Sequence, residues 1–415
     1  MAAATWQLCL TMQSSDRLPA APWALTAEAP SAFQGYRRAD GTVGVRNHVV
    51  VLSTVVCANT VAERIAQQVP GTVSLTHPHG CGHVGADFDL VLDTLVRLVS
   101  HPNVAATLVV GLGCEQIEAA VVRERIHRTG RRVQSVIIQE AGGTLKAIAH
   151  GTDLARQMVS EATRLTRESA PVSELIVAME CGSSDATSGI TANPIVGLLS
   201  DRLVAAGGTV LLAESAELLG AEHILARRAV TPQVGRQLIH MVTQVERLAD
   251  TMGVDIRGSQ PTPGNIAGGI STIEEKSLGC IHKAGAAPVQ GVLGFGERPA
   301  GKGLYVMDTP GQDAECTTGM VAGGAQVVVF TTGRGTPLGN PVAPVIKVTG
   351  NALTAQRMAD HIDFRVDSLI TGSASPQNLA RGLWELLLEV ADGRLVAAEV
   401  LGHREFALHR VGRTI

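Results

Sequence analysis

The chain has 415 residues, 34 Lys+Arg against 38 Asp+Glu, and a net charge of −4. That length buries a large core without disulfides or a structural metal. The charge lacks the basic excess that a nucleic-acid or anionic-membrane partner would call for. The aromatics are few (six Phe, three Trp, two Tyr), so the core must be built from Val, Leu, Ile and Ala. The 45 glycines follow no fixed period. Abundant Gly beside Val and Ala predicts many tight strand-to-helix turns, the composition of an α/β enzyme.

Residues 1–33 are Ala/Pro/Ser-rich without a period and read as a poorly ordered extension. They lack a signal peptide's basic start and apolar core. Seven cysteines, at 9, 57, 81, 114, 181, 280 and 316, include no CxxC pair. Free thiols in a reducing cytoplasm fit better than a disulfide framework. The longest charge-free apolar run, 49–62, is shorter than the ~20 residues of a membrane helix.

From residue 48, buried apolar runs alternate with amphipathic stretches. Strands are predicted over 48–56, 72–76, 106–111, 133–138, 175–179 and 209–213. Helices are predicted over 59–69, 87–100, 115–129, 194–206 and 233–251. The Pro/Gly-rich stretch 254–272 marks a domain boundary or a functional loop. Beyond it, strands at 289–293, 304–307, 326–330 and 345–348 accompany helices at 353–361 and 378–392. The reading is an α/β fold of parallel-sheet βαβ units in two lobes, 34–255 and 256–415, with the active site between them.

Unusual residues collect where the first strands end. Cys57-Ala-Asn59, Thr76-His77-Pro-His79-Gly-Cys81-Gly-His83, Gly113-Cys114-Glu115, Gln139-Glu140 and Glu180-Cys181-Gly-Ser-Ser184-Asp185 each follow a strand. Ligands of open parallel sheets bind at carboxyl edges, and thiolate, imidazole and carboxylate ligate transition metals. A lone Cys at such a place is ordinarily a small buried hydrophobe; four on one edge argue otherwise. His101, His150 and His240 read as structural. The run from Cys181 to Pro194 supplies backbone N–H groups, Ser, Thr and Asn at a helix start, which suits an anion, although Ser and Thr there also cap helices. Arg46, Asn47, Ser184, Asp185, Asn193, Thr272 and Arg334 are therefore candidates to hold substrate carboxylates or hydroxyls, with Arg334 placed to clamp in bidentate fashion.

The blocks GYRRADGTVGVRNHVVV, THPHGCGHVG, VVGLGCE, IQEAGGT, ECGSSDATSGITANPIVG, ESAEL, GGISTIEEKSLGC, MDTPG and FTTGRGTPLGNP run in order from about residue 35 to 350. Together they resemble the catalytic region of the altronate and galactarate dehydratase family, which includes the large subunit of (2R)-sulfolactate sulfo-lyase. The resemblance implies a lyase removing water, or another β-substituent, from a 2-hydroxy sugar acid with Fe²⁺ or a similar divalent ion such as Mn²⁺. Family members carry a small all-β SAF-type domain, in some as a separate subunit. No such block precedes GYRR here, so a small SAF-domain partner is expected, and an oligomer with it.

The inventory suits that chemistry. An α-proton beside a carboxylate is weakly acidic, so the developing ene-diolate needs a cation, and the β-hydroxyl needs acid help to leave. His79 and Cys81 are the leading metal candidates, with Cys57, Cys114, Glu140 and Cys181 as further ligands or neighbours. Iron suits this mixed set better than magnesium does. Lys276 and Glu275, with His77, are the candidate acid/base groups; a Lys beside a cation should have a lowered pKa. Two alternatives stand: an iron–sulfur dehydratase built on Cys57, Cys81, Cys114 and Cys181, and a non-catalytic sugar-acid binding subunit.

Overall fold

The computed structural model describes residues 31–415. The chain opens with β1 (Ala32–Arg37) and β2 (Val43–Gly44), then β3 (His48–Ser53), α1 (Asn59–Gln68), β4 (Thr72–Leu75), α2 (Ala86–Val99), β5 (Val104–Gly111), α3 (Ala119–Arg128), β6 (Arg132–Ile137) and α4 (Thr144–Ala162). β7 (Glu168–Pro171), β8 (Ile176–Gly182), α5 (Ala192–Ala205), β9 (Thr209–Leu212), α6 (Pro232–Thr251) and α7 (Ile273–Cys280) follow. The remainder holds β10 (Val289–Leu293), β11 (Gly303–Met307), α8 (Asp313–Ala322), β12 (Val327–Thr332), β13 (Val345–Thr349), β14 (Phe364–Arg365) and α9 (Pro376–Ala391). Among the described residues, no helix is long and apolar enough to cross a membrane.

Two parallel sheets result. The smaller has the order β4-β3-β5-β6; the larger has the order β10-β11-β9-β8-β12-β13-β14. Strand β3, HVVVLS, is buried almost throughout, as a central parallel strand covered on both faces must be. Its alternate residues still divide by face. Val49 and Val51 pack with Val61, Ile65, Ala147 and Met158 of α1 and α4. Val50 and Leu52 pack with Val91 and Leu95 of α2 and Ile126 of α3.

That second cluster does not stop at the small sheet. It continues through Met320 of α8 to Ala178, Leu211, Val328 and Phe330 of the large sheet. The two sheets therefore share one core. Asn103, fully buried, fastens the same junction: its amide donates to the carbonyls of Gln326 and Val342, and its oxygen accepts from Val45 N–H.

Two boundaries differ from the sequence reading. Residues 1–30 of the expected extension lie outside the described residues, but Ala32 and Phe33 belong to β1, which pairs antiparallel with β7, and Phe33 is buried. The change of sheet falls between β6 and β8, not near residue 255. β8 and β9, assigned by sequence to the first lobe, lie in the middle of the second sheet. The Pro/Gly stretch carries two short helical turns, Ile256–Ser259 and Pro263–Ala267, and folds onto the large sheet: Ala186 N–H donates to Gly268 O, and Asn265 Nδ2 donates to Ser184 O at 2.9 Å.

Arg46 and Asn47 belong to this scaffold, not to a ligand site. Nε and Nη2 of Arg46 each reach the Glu399 carboxylate at 2.7 Å, and its other donors go to the carbonyls of Val45, Val390 and Arg394. No donor remains for a substrate. Asn47 donates to Ala162 O and accepts from Arg38. Arg46→Ala should therefore destabilise the fold by ~3–5 kcal/mol, by leaving Glu399 half-buried and unpaired, while the folded fraction keeps its KM. Denaturant melts beside substrate titrations check this.

His101 provides a second handle. It is fully buried, its Nδ1 accepts from Asn103 N–H, and burial pushes its imidazole down to about 3. It stays neutral in the folded protein while the unfolded chain titrates near the ordinary ~6.5. The contribution is complete above ~6.5 and is lost as pH falls toward 3, at ~1.4 kcal/mol per pH unit for this group. His101→Asn should flatten the acid limb of stability against pH by one proton; an unchanged slope between pH 6 and 4 would contradict the assignment.

Candidate active site at the carboxyl edge of the large sheet

In the large sheet the chain winds from β8 to β9 on one side, then crosses to place β12 on the other. The crevice outside the carboxyl ends of β8 and β12 is thus a topological switch point, the usual ligand site of such sheets. Two residues at neighbouring strand ends adopt left-handed backbone without being glycine: Ser183 (φ 50) after β8 and Glu214 (φ 70) after β9. Strain of this kind persists where the surroundings enforce it. Glu214 N–H is held by Thr309 Oγ1 at 2.9 Å.

The strained turn aims Glu214 into a buried cluster. Cys181 Sγ lies 3.4 Å from Glu214 Oε2, 3.2 Å from Glu217 Oε2 and 3.9 Å from Cys280 Sγ. Lys283 Nζ stands 2.6 Å from Glu214, and Lys276 Nζ 2.7 Å from Glu217. Burial pushes the Glu214 carboxyl up to about 7, helped by Glu217 and opposed by Lys283. Burial works the same way on Glu217, but Lys276 and Lys283 outweigh it and hold that carboxyl below its ordinary value. Burial works against the Lys276 ammonium, and Glu217 more than compensates, so its pKa is raised. The lowered lysine pKa expected from sequence is therefore reversed.

Cys181, Glu214, Glu217 and Cys280 offer donor atoms within 4.8 Å of one another, the one such group among the described residues. Glu214 Oε1 is buried without a hydrogen-bond partner. Two thiols and two carboxylates, one with an orphaned oxygen, fit a divalent ion that accepts sulfur, such as iron or zinc, and not magnesium.

Beside this cluster lies a cavity of about 210 Å³ whose wall includes Cys181, Ser184, Asp185, Asn193, Glu275, Lys276 and His282. The structure thus gathers six sequence-chosen residues, with altered roles. Asp185 Oδ1 accepts from the backbone and hydroxyls of Thr187 and Ser188, and Oδ2 accepts from Asn351, so it organises the turn. Asn193 ties α5 to Gly279 and Thr331. Glu275 is not a free acid/base group: it is exposed and accepts from Ser271 N–H and Oγ–H, which hold its carboxyl low. Thr272 caps α7 through Glu275 N–H. Ser184, buried in the cavity wall, and Arg334, exposed and outside the cavity's lining with Nη1 on Gly264 O, are the ones that keep side-chain polar atoms without a protein partner among the described residues.

The expected metal loop does not assemble. Cys57, Cys81, Cys114 and Glu140 are exposed at the edge of the other sheet. His77 uses Nε2 on Ser53 O and Nδ1 on His79 N–H, and burial pushes it down to about 4. Neither nitrogen is left for catalysis. His79 shares this loop, and only Cys181 of the expected ligands enters the buried cluster. An iron–sulfur site on Cys57, Cys81, Cys114 and Cys181 loses its fourth ligand to a different sheet. Glu214 and Glu217 escaped the sequence reading although ESAEL directly follows a predicted strand; extending the strand-end rule to that strand would have found them. Cys280 closes a helix already singled out. No sequence signal marks Lys283.

Two family models cover this architecture: "D-galactarate dehydratase/Altronate hydrolase, second domain" over residues 35–163 and "D-galactarate/Altronate dehydratase, C-terminal" over 172–414. The chain belongs to the D-galactarate/altronate dehydratase family. Its relatives include the (2R)-sulfolactate sulfo-lyase subunit beta of Chromohalobacter salexigens, 42% identical over 91% of this chain and 97% of that protein. The altronate dehydratase of Escherichia coli is 38% identical over 93% of this chain and 79% of its own length. The galactarate dehydratase (L-threo-forming) of E. coli is 35% identical over 87% and 73%. Membership makes this chain an enzyme of the carbon–oxygen lyase type. The family's C-terminal part contains the whole cluster and cavity, and its second domain matches the small sheet with its flanking helices.

The cluster makes a concrete demand on metal content. In anaerobically prepared protein loaded with Fe²⁺, Cys181→Ser and Cys280→Ser should each weaken metal binding by about 10-fold or more. Cys57→Ser, Cys81→Ser and Cys114→Ser should leave it intact. Elemental analysis after equilibrium dialysis distinguishes the two sets, and the reverse pattern would return the search to the histidine loop.

Proposed function

We propose that this enzyme removes water from a 2-hydroxy sugar acid of the altronate or galactarate class, with a divalent metal, iron(II) for preference, held by Cys181, Glu214, Glu217 and Cys280. The observation that carries this reading is the shared wall: Cys181 belongs at once to the buried donor cluster and to the hydroxyl-lined cavity, and Lys276 of the same wall pairs with Glu217 of the cluster. When bound, the metal supplies a Lewis acid that stabilises the ene-diolate of the α-deprotonated acid.

The chain's own groups do the rest. Lys276, kept protonated by Glu217, presents an ammonium to the substrate carboxylate. Ser184 and the backbone of the turn organised by Asp185 hold hydroxyls, and the exposed Arg334, whose Nη1 donates to Gly264 O, offers Nε and Nη2, which have no protein partner among the described residues, to a substrate oxygen. His282 lines the same cavity, and burial holds its imidazole below its ordinary pKa, so it is neutral at pH 7 and takes the α-proton on a ring nitrogen. Reduced thiols and iron(II) suit a cytoplasmic setting. A small SAF-domain companion subunit and an oligomer belong to the same reading, because one relative is by name a subunit.

A second reading has a specific support. The relative at 42% identity is a sulfo-lyase subunit. The same carbanion chemistry would then expel sulfite from a 2-hydroxy-3-sulfonate. An anaerobic screen with Fe²⁺, with and without the small subunit, decides between them. Altronate or galactarate should yield a 2-oxo-3-deoxy acid, and His282→Gln should lower kcat by ~10²–10⁴-fold. Sulfite release from sulfolactate, with no turnover of sugar acids, would install the second reading instead.

A further inference from the structure

A second, larger space adjoins the site and has no role so far. It measures about 590 Å³, and Ala216, Gln260, Gly311, Gln312 and Asp313 are among its walls. It is not remote from the chemistry. Gln260 Oε1 accepts from Lys276 Nζ at 3.2 Å, so the chamber and the smaller cavity meet at that lysine. Asp313 sits over the backbone that follows Cys181: a Cβ built on Gly182 would lie 2.3 Å from Asp313 Oδ2. Only glycine at 182 allows the carboxyl to lie there.

Each of the other acidic side chains around this edge has at least one partner from another residue. Glu214 pairs with Lys283, Glu217 with Lys276, Glu180 accepts from Cys316, and Asp185 is saturated by Thr187, Ser188 and Asn351. Asp313 opens α8, where Gln312 caps Glu315 N–H, yet no other residue donates a hydrogen bond to the Asp313 carboxyl oxygens among the described residues. A half-buried carboxyl facing an open chamber without a donor from another described residue is available to a ligand. Burial also pushes it up to about 6, which leaves part of it protonated near neutrality.

We propose that the chamber receives the hydroxyl chain of the sugar acid and that Asp313 is the general acid that protonates the departing β-hydroxyl. The proposal rests on the dehydration reading above. The balance is complete within the site. A base takes the C2 proton, that electron pair forms the C2–C3 double bond, and the C3–O bond breaks. The proton on Asp313 passes to the leaving oxygen, which departs as water. Asp313 remains as carboxylate, and the enol becomes the 2-oxo acid by taking a proton from solvent at C3 and giving its hydroxyl proton back to solvent; the C2 proton, released by the base, restores Asp313.

The test uses the full chain loaded anaerobically with Fe²⁺, and with its small subunit if activity requires one, on the acid the enzyme eliminates best. Asp313→Asn should lower kcat by ~10²–10³-fold with KM within about threefold and an unchanged melting midpoint. Exchange of the C2 hydrogen in D₂O should persist in that variant, because deprotonation does not use Asp313. Gly311→Leu tests the chamber separately. A Cβ there meets only Ala216 Cβ at 3.7 Å, so the larger side chain enters the chamber without a backbone clash and should raise KM at least about tenfold. The inference is overturned if Asp313→Asn keeps kcat within threefold, if it abolishes C2 exchange together with elimination, or if Gly311→Leu leaves KM unchanged. If the unsubstituted enzyme removes water from none of the acids, the proposed function fails first and this inference falls with it.

Discussion

A lysine ammonium with no access to water can remain in a protein core only against a compensating charge, and Lys283 meets that condition 2.6 Å from Glu214. Much of the site follows from this pair. Glu214 must leave β9 in a left-handed conformation to reach it, so Thr309 is needed to hold its N–H. Thr309 Oγ1 in turn lies 3.1 Å from Cys316 Sγ, and Cys316 meets the buried Glu180. Removing either partner of the ion pair would strand a charge in low dielectric at a cost of ~3–5 kcal/mol. A cluster of such expense is weak evidence for stability and better evidence for a task.

The sequence made most of this architecture legible. Apolar runs marked the inner strands because a parallel strand covered on both faces cannot alternate. The long helices were legible through their apolar stripes. The helix Thr144–Ala162 was not, because small residues (Ala147, Gly151, Ala155 and Ala162) make up most of its inner face, with Ile148 and Met158 its large apolar members. Small residues give a faint period, and they are there because α1 lies close: a Cβ on Gly151 would lie 2.4 Å from Ile65 Cδ1. Strand β1 hid in a run that looked featureless, since its partner β7 lies more than a hundred residues away and no local pattern encodes that pairing.

Periodicity also does not say which sheet a strand joins. The strand-end rule therefore pooled Cys57, Cys81 and Cys114 with Cys181, although three lie over the small sheet and one over the large. Charge signs were harder still. Lys276 was expected to lose proton affinity beside a cation, but what stands 2.7 Å away is the Glu217 carboxylate, and Coulomb attraction at that distance outweighs burial. That partner lies 59 positions away along the chain, on a turn whose direction is set by the strained Glu214.

The contrast between the two sheets explains why only one edge carries the chemistry. Each has a switch point: between β3 and β5 in the small sheet, between β8 and β12 in the large. In the small sheet the crevice is filled by the chain itself. Val56 N–H bonds to His79 O, Gln116 and Ile117 N–H bond to Gly80 O, and Gly80 packs so closely that a Cβ would lie 2.4 Å from Thr54 O. The rings of His77 and His83 accept backbone N–H bonds within that loop. These imidazoles hold a plug in place, which is why their clustering in sequence imitates a metal site. In the large sheet the corresponding crevice is lined by Ser184, Ser188, Gly189, Asn193, Lys276 and His282, and among the described residues no such plug fills it. Asp185 spends both oxygens keeping its turn in place as part of the wall, and Asn193 spends its amide holding α7 through Gly279 O. The polar residues whose hydrogen bonds are complete thus hold the walls, and Asp313, left without a donor from another described residue, faces the space that a ligand can enter.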